Sequence, residues 1–280
     1  MLATDFSEVS ETPLRHAVAI ARQFGAKLYL AHVVPFGFPR KRAPGLKAAM
    51  EAAWGHAHEL ESRLLQGGSL ADLGYEFVIQ HGVVWEVLNQ LIRQEDADLI
   101  VSGTHARRGI RKVLLGSIAE QIFRDADCPV FTVGPKSRRQ SRVGAASLTF
   151  LFPTDFGEAS LQALPQAVCY ANQFKAKLLL LHVLHTPSSP GTFLHQATVR
   201  MLEELTMNSA VKVGPEILVE SSPAAPVSAK ILQTAERWKV DLIIMGLRRS
   251  TYVEAASHAP WATAYEVVCG ARCPVLTLRC

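Results

Sequence analysis

The chain repeats itself at a spacing of about half its 280 residues. Phe150-Leu-Phe-Pro-Thr-Asp155-Phe-Gly-Glu158 matches Met1-Leu-Ala-Thr-Asp5-Phe-Ser-Glu8, and Gln173-Phe-Lys-Ala-Lys-Leu-Leu-Leu-Leu-His182-Val183 matches Gln23-Phe-Gly-Ala-Lys-Leu-Tyr-Leu-Ala-His32-Val33, both at an offset of 150 residues. Asp98-Leu-Ile recurs as Asp241-Leu-Ile at an offset of 143, and Cys128-Pro-Val as Cys273-Pro-Val at 145. Matches that keep their order require two copies of one fold with small insertions and deletions between them. A chain of this length suits two domains of about 140 residues, each able to bury about two-thirds of its unfolded surface. Domain one is expected over 1–135 and domain two over 148–280. The basic stretch 136–147, with Lys136, Arg138, Arg139 and Arg142, is the linker.

Within the first copy, strand-like and helix-like patterns alternate. Met1 to Ala3 reads as a strand, and a helix from near Pro13 carries Leu14, Val18, Ala21 and Phe24 at helical spacing before stopping at Gly25. Further strands are expected at Lys27 to Val34, Tyr75 to Gln80, Asp98 to Ser102 and Pro129 to Val133. A long helix spans Leu46 to Leu65, and another follows Gly82 through Trp85, Leu88 and Leu91. Pro35 to Gly45, with Arg40-Lys-Arg42, is a loop. Strands alternating with helices in this way predict an α/β fold with a parallel sheet in each copy. The second copy begins its first strand near Leu148, whose counterpart would precede residue 1. The first strand is thus short by a few residues, and an upstream start codon is expected.

The stretch from Gly103 to Ser117 lies between a strand and a helix, where α/β folds bind anionic ligands. Gly103 frees the chain to turn, Gly116 lets the backbone amides of a helix start approach a phosphate, and Ser117 adds a hydroxyl. Arg107, Arg108, Arg111 and Lys112 make the loop positive. It has neither the Gly-x4-Gly-Lys-Ser/Thr nor the Gly-x-Gly-x-x-Gly spacing, so neither a Walker NTPase nor a Rossmann dehydrogenase is indicated. Spacing alone leaves a second reading open, because Ser117-Ile-Ala-Glu120 is a capping box suited to any helix.

No apolar run reaches the roughly 20 residues of a membrane helix and no secretory leader is evident, so a cytoplasmic protein without a membrane partner is expected. A net charge of +4 is small and spread along the chain. The five cysteines, Cys128, Cys169, Cys269, Cys273 and Cys280, suggest buried reduced thiols rather than disulfides or a zinc site. His32 and His182 on apolar strands read as satisfied core histidines, and Trp85, Trp238 and Trp261 as packing. His56 and His58 face different ways on a helix and form no metal pair. The basic runs lack the aromatic interleaving that nucleic-acid binding would want.

With Ala3-Thr-Asp5-Phe-Ser, His32-Val33, Gly82 before a helix, Gly103-x2-Ala106-x9-Gly116-Ser117 and Cys128-Pro-Val in this order, the chain resembles the universal stress protein family, as a tandem over nearly its whole length. The resemblance implies two five-stranded parallel sheets with helices on both faces, of the Rossmann-like, adenine-nucleotide α-hydrolase-like type. It also implies a stress-response regulator that binds ATP or a related adenine nucleotide, alone or with Mg²⁺, and is not an enzyme. Thr4, Asp5 and Val33 would hold adenine and ribose, and Gly103, Ala106, Gly116 and Ser117 the phosphates, with His105 beside them. Ala106 stands where the family pattern has a glycine, which at a positive φ costs on the order of 1 kcal/mol, about tenfold in affinity.

The second copy keeps Pro153-Thr-Asp155 and His182-Val183 but reads Gly246-Leu-Arg-Arg249 after its fourth strand, with Trp261 opposite Gly116 and Ala262 opposite Ser117. No nucleotide is expected there. The two domains are expected to pair inside the chain, edge to edge through Val130–Val133 and Val275–Leu278, and a homodimer is left open. Catalysis has no support: no acidic pair for Mg²⁺ and no paired base and nucleophile are evident. A slow ATPase or a ligand-free scaffold are the rival readings.

Overall fold

The computed structural model describes residues 1–7, 10–36, 45–104, 115–134, 136–137, 147–207, 214–248 and 262–279. The chain divides into two compact units, the bulk of the first being Met1–Val133 and of the second Gly144–Cys280.

In the first unit the described strands are β1 (Leu2–Ala3), β2 (Leu28–Pro35), β3 (Tyr75–Gly82), β4 (Ile100–Gly103) and β5 (Val130–Val133). They lie in the order β3-β2-β1-β4-β5, every pair parallel, so the chain winds outward in both directions from β1. The helices are α1 (Glu11–Phe24), α2 (Leu46–Gln66), α3 (Val84–Gln94) and α4 (Ser117–Asp125). The second unit repeats this plan. Its strands are β6 (Thr149–Pro153), β7 (Lys177–Leu184), β8 (Glu216–Ser221), β9 (Leu242–Leu247) and β10 (Val275–Arg279), in the order β8-β7-β6-β9-β10. Its helices are α5 (Glu158–Gln173), α6 (Phe193–Met207), α7 (Val227–Arg237) and α8 (Ala262–Gly270).

Strand limits shift by one or two residues from the sequence expectation, because ladder pairing and not hydropathy sets them. Pairing of Pro35 with Gly82 carries β2 and β3 past Val34 and Gln80. Gly82 is thus the last residue of β3 rather than a turn. Strand β1 pairs over two residues on each side, whereas β6 pairs over five with β7 and two with β9.

Helices on both faces explain the nearly continuous apolar runs of β7 and β2. On one face of the first sheet, Met1, Ala31, Val33, Ile100 and Val130 pack with Leu88, Leu91 and Ile92 of α3 and Ile122 of α4. On the other, Ala53 and Ala57 of α2 cover Ile79. Fully buried side chains such as Leu2, Leu30 and Ile100 each contribute on the order of 2 kcal/mol.

The first helix of each unit buries the same stripe: Leu14, Ala17, Val18 and Ala21 on α1, Leu164, Ala167, Val168 and Ala171 on α5. Helix α1 ends at Gly25, whose left-handed φ of 61° returns its N–H to the carbonyls of Ala21 and Arg22. Among the cysteines, Cys269 and Cys273 are buried, but Cys128 is only half-buried and Cys169 is exposed, because it lies off the α5 stripe. Cys280, Pro135 and the expected linker residues 138–146 lie outside the described residues.

Each first helix crosses the end of the fourth strand at a glycine. A Cβ on Gly103 would stand 2.7 Å from Cγ of Pro13, and one on Gly246 would stand 2.3 Å from the carbonyl oxygen of Ala159. Gly103 is not among the positive-φ glycines, so its lack of a side chain serves helix contact and not the turn that the sequence suggested. Replacing either by alanine must move a helix, at about 1–3 kcal/mol. Gly246→Ala is expected to cost more than Gly103→Ala in urea unfolding, since a backbone carbonyl yields less readily than a ring carbon.

Candidate functional site

The carboxyl end of β1 leads into a turn built from Thr4, Asp5, Phe6 and Ser7. Thr4 continues the ladder by donating its N–H to the carbonyl of Ala31 at 3.0 Å. Its Oγ1 then accepts the N–H of Phe6 at 3.0 Å. Oδ1 of Asp5 gathers the Ser7 N–H at 3.0 Å, the Ser7 hydroxyl at 2.7 Å and the Ser10 hydroxyl at 2.6 Å. Phe6 adopts a left-handed φ of 59°, which costs a non-glycine residue about 1–2 kcal/mol. Its ring lies 4.9 Å from that of His32 and 6.3 Å from Phe77, contacts that offset the strain.

His32 closes the arrangement from β2. Its Nδ1 is 2.9 Å from the carbonyl of Thr4, and because a carbonyl only accepts, Nδ1 carries the proton. The ring is a half-buried, satisfied histidine tied to β1. Val33 was expected to help hold adenine and ribose from the end of β2. It lies two residues before the end of β2, and its buried side chain belongs to the core beneath α3, so only its backbone could meet a ligand.

The second unit reproduces the turn. Thr154 Oγ1 accepts the Phe156 N–H at 3.0 Å, Phe156 has φ 59°, and its ring lies 4.7 Å from His182. His182 Nδ1 donates to the Thr154 carbonyl at 2.8 Å. Oδ1 of Asp155 accepts the Gly157 N–H at 2.8 Å and the Ser160 hydroxyl at 2.9 Å. The aspartates are therefore turn-holding groups first, and the buried serines Ser10 and Ser160 are partners that sequence reading missed. The signal was available in the spacing, since both serines stand five residues after the aspartate in both copies.

The loop between β4 and α4 is anchored at its two described ends. Thr104 is buried and donates its N–H to the Val133 carbonyl at 3.1 Å, while Leu115 is buried where the chain returns. Gly116 is the N-cap of α4, with extended dihedrals of −62° and 153°, and among the described residues no side-chain cap hydrogen bond is made there. This corrects the capping-box reading: Ser117 is the first helical residue, one place too late to serve as cap. His105, Ala106 and the loop's basic residues lie outside the described residues, as does Trp261. Helix α8 begins at Ala262, the residue aligned with Ser117.

Burial opposes ionisation of Asp155, but hydrogen bonds from Gly157 and Ser160, with the charge of Arg248, outweigh it and hold the carboxyl below its ordinary range. A depressed folded value means that the turn's contribution is present at neutral pH and is lost as pH falls through that value. Ser160→Ala removes one of these donors, so carboxyl titration by NMR should show the Asp155 value moving upward toward that of a free aspartate. An unmoved value would show that Ser160 does not hold the charge.

Among the described residues no helix is long and apolar enough to cross a membrane, and no group of three or more His, Cys, Asp or Glu could hold a metal ion. The family model for the universal stress protein family matches residues 1–134 and 148–279. Universal stress protein MJ0531 of Methanocaldococcus jannaschii is 30% identical over 145 residues, 48% of this chain and 79% of its own length. Universal stress protein MJ0577 of the same organism is 26% identical over 153 residues, 48% of this chain and 93% of its own length. The crystal structure of a universal stress protein from Archaeoglobus fulgidus shares the fold with a TM-score of 0.75 at 20% identity, covering 100% of this chain and 97% of the other. With the family pattern met twice along nearly its whole length, and a parallel α/β fold in each copy, the chain belongs to the universal stress protein family as a tandem of two domains.

Proposed function

We propose that the first unit binds ATP or a related adenine nucleotide at the carboxyl ends of β1, β2 and β4, and that the chain serves as a stress-response regulator rather than an enzyme. The observation that carries this reading is the start of α4, where an extended glycine precedes a first turn that no side chain among the described residues caps. Such a helix start favours a phosphate through both its donors and its dipole. Thr4, Asp5 and the backbone at Val33 would meet the nucleoside, with Gly103, Gly116 and Ser117 toward the phosphates and His105 and Ala106 along the loop. Magnesium would enter with the triphosphate, since the described residues offer no acidic cluster of their own.

The second unit is read as lacking a triphosphate site. Ala262 supplies no hydroxyl at the start of α8, and an indole precedes it in the chain where the first copy has Gly116. Arg248 follows β9 where His105 follows β4 by one further residue, and its charge acts on Asp155.

Calorimetry with ATP is expected to give one nucleotide per chain, and saturation at a hundredfold excess over Kd to stabilise the first unit by about 2.7 kcal/mol. Gly116→Trp should abolish the binding while leaving the fold intact by circular dichroism. Two nucleotides per chain, or unchanged binding in Gly116→Trp, would overturn the assignment. Phosphate release above background by the pure protein, lost in the same variant, would favour the ATPase instead.

A further inference from the structure

His16 lies in the middle of α1 and is 4% exposed, and neither ring nitrogen has a hydrogen-bond partner. Its ring centroid is 5.6 Å from that of Phe131 on β5. The sheet beneath is apolar: cross-strand register sets Phe131 beside Val101, Val101 beside Leu2 and Leu2 beside Leu30. On the described strands that α1 packs against, the titratable group on this face is His32, whose Nδ1 is bonded to the Thr4 carbonyl. On α1 itself, Glu11 and Arg15 pair with each other at 3.6 Å on the exposed side, and Arg22 donates to the carbonyl of Gly68. An imidazolium at position 16 would therefore have no carboxylate facing it from these elements.

The same helix supplies two walls of the candidate site. Ser10, just before it, donates to Asp5, and Pro13 in its first turn is the group against Gly103. We propose that α1 is an acid-released latch: a proton taken up by His16 undocks the helix from the sheet and thereby loosens both the carboxylate turn and the end of β4. The inference concerns the walls of the site and holds whatever ligand occupies it.

The sign follows from burial, which lowers the His16 pKa from 6.5 to about 4. The docked helix excludes the proton and the released helix accepts it, so docking weakens as pH falls below the released value and the loss saturates near the docked one. Between pH 7.5 and 5 the population of released α1 should rise roughly thirtyfold by this linkage. The second unit carries its own control, because the residue of α5 aligned with His16 is Gln166, which is exposed and does not titrate.

Hydrogen exchange of the ligand-free full chain at the two pH values, corrected for intrinsic rates, reads both helices at once. Amides of α1 should lose protection by that factor at pH 5 while those of α5 do not. His16→Leu, neutral and apolar, should abolish the dependence, and His16→Gln should also flatten it, with faster opening at both pH values. Equal protection of wild-type α1 at the two pH values would overturn the proposal. So would a dependence that survives in both variants.

Discussion

In each unit the first helix lies against the end of the fourth strand so closely that no Cβ fits between them, and this contact organises the carboxyl edge of the sheet. From that position the serine at or near the helix start reaches the aspartate that ends the central strand. The aspartate in turn orders a turn whose phenylalanine is driven into the left-handed region and held there by a histidine of the second strand. A strained residue persists only where its surroundings over-determine it. Recurrence of the same φ, ring contact and carbonyl-bonded histidine in both copies shows that the turn is specified by these partners.

This shared framework changes what the glycine repeated at the end of the fourth strand means within the chain. Gly246 is present in the copy whose later loop residues differ most from a phosphate-binding pattern, and there its hydrogen faces the Ala159 carbonyl. Its retention needs no ligand. The features that separate the two copies are instead the residues at the start of the following helix, Gly116-Ser117 against Trp261-Ala262. Helix packing is common to both units, whereas polarity and bulk at that helix start are not. This is why the nucleotide reading rests on α4 and not on Gly103.

Much of the architecture was legible in the residues. Alternating apolar strands and amphipathic helices announced the parallel sheets, and the repeat announced two of them, because buried strands and one-sided helices leave distinct periods in sequence. Boundaries were less legible: Gly82 looked like a turn residue, yet pairing with Pro35 makes it part of β3. Ser117 looked like a cap, yet the helix begins at that residue and Gly116 takes the cap position. Both errors have one cause. Local chemistry offers several adjacent stopping places, and contacts from distant segments choose among them.

The sequence by itself determined the family, the tandem and the set of polar residues available at the strand ends, since these follow from identity, order and spacing. Only the tertiary structure decided their employment. It turned the Val33 side chain into the core, gave Asp5 to the local serines, and set the Nδ1 proton of His32 on a carbonyl 28 residues away. It also buried His16 without a partner while leaving its aligned residue, Gln166, in solvent. Hydrogen-bond satisfaction and burial depend on which elements meet in space, and a helical period reports the face that is covered but not the groups that cover it.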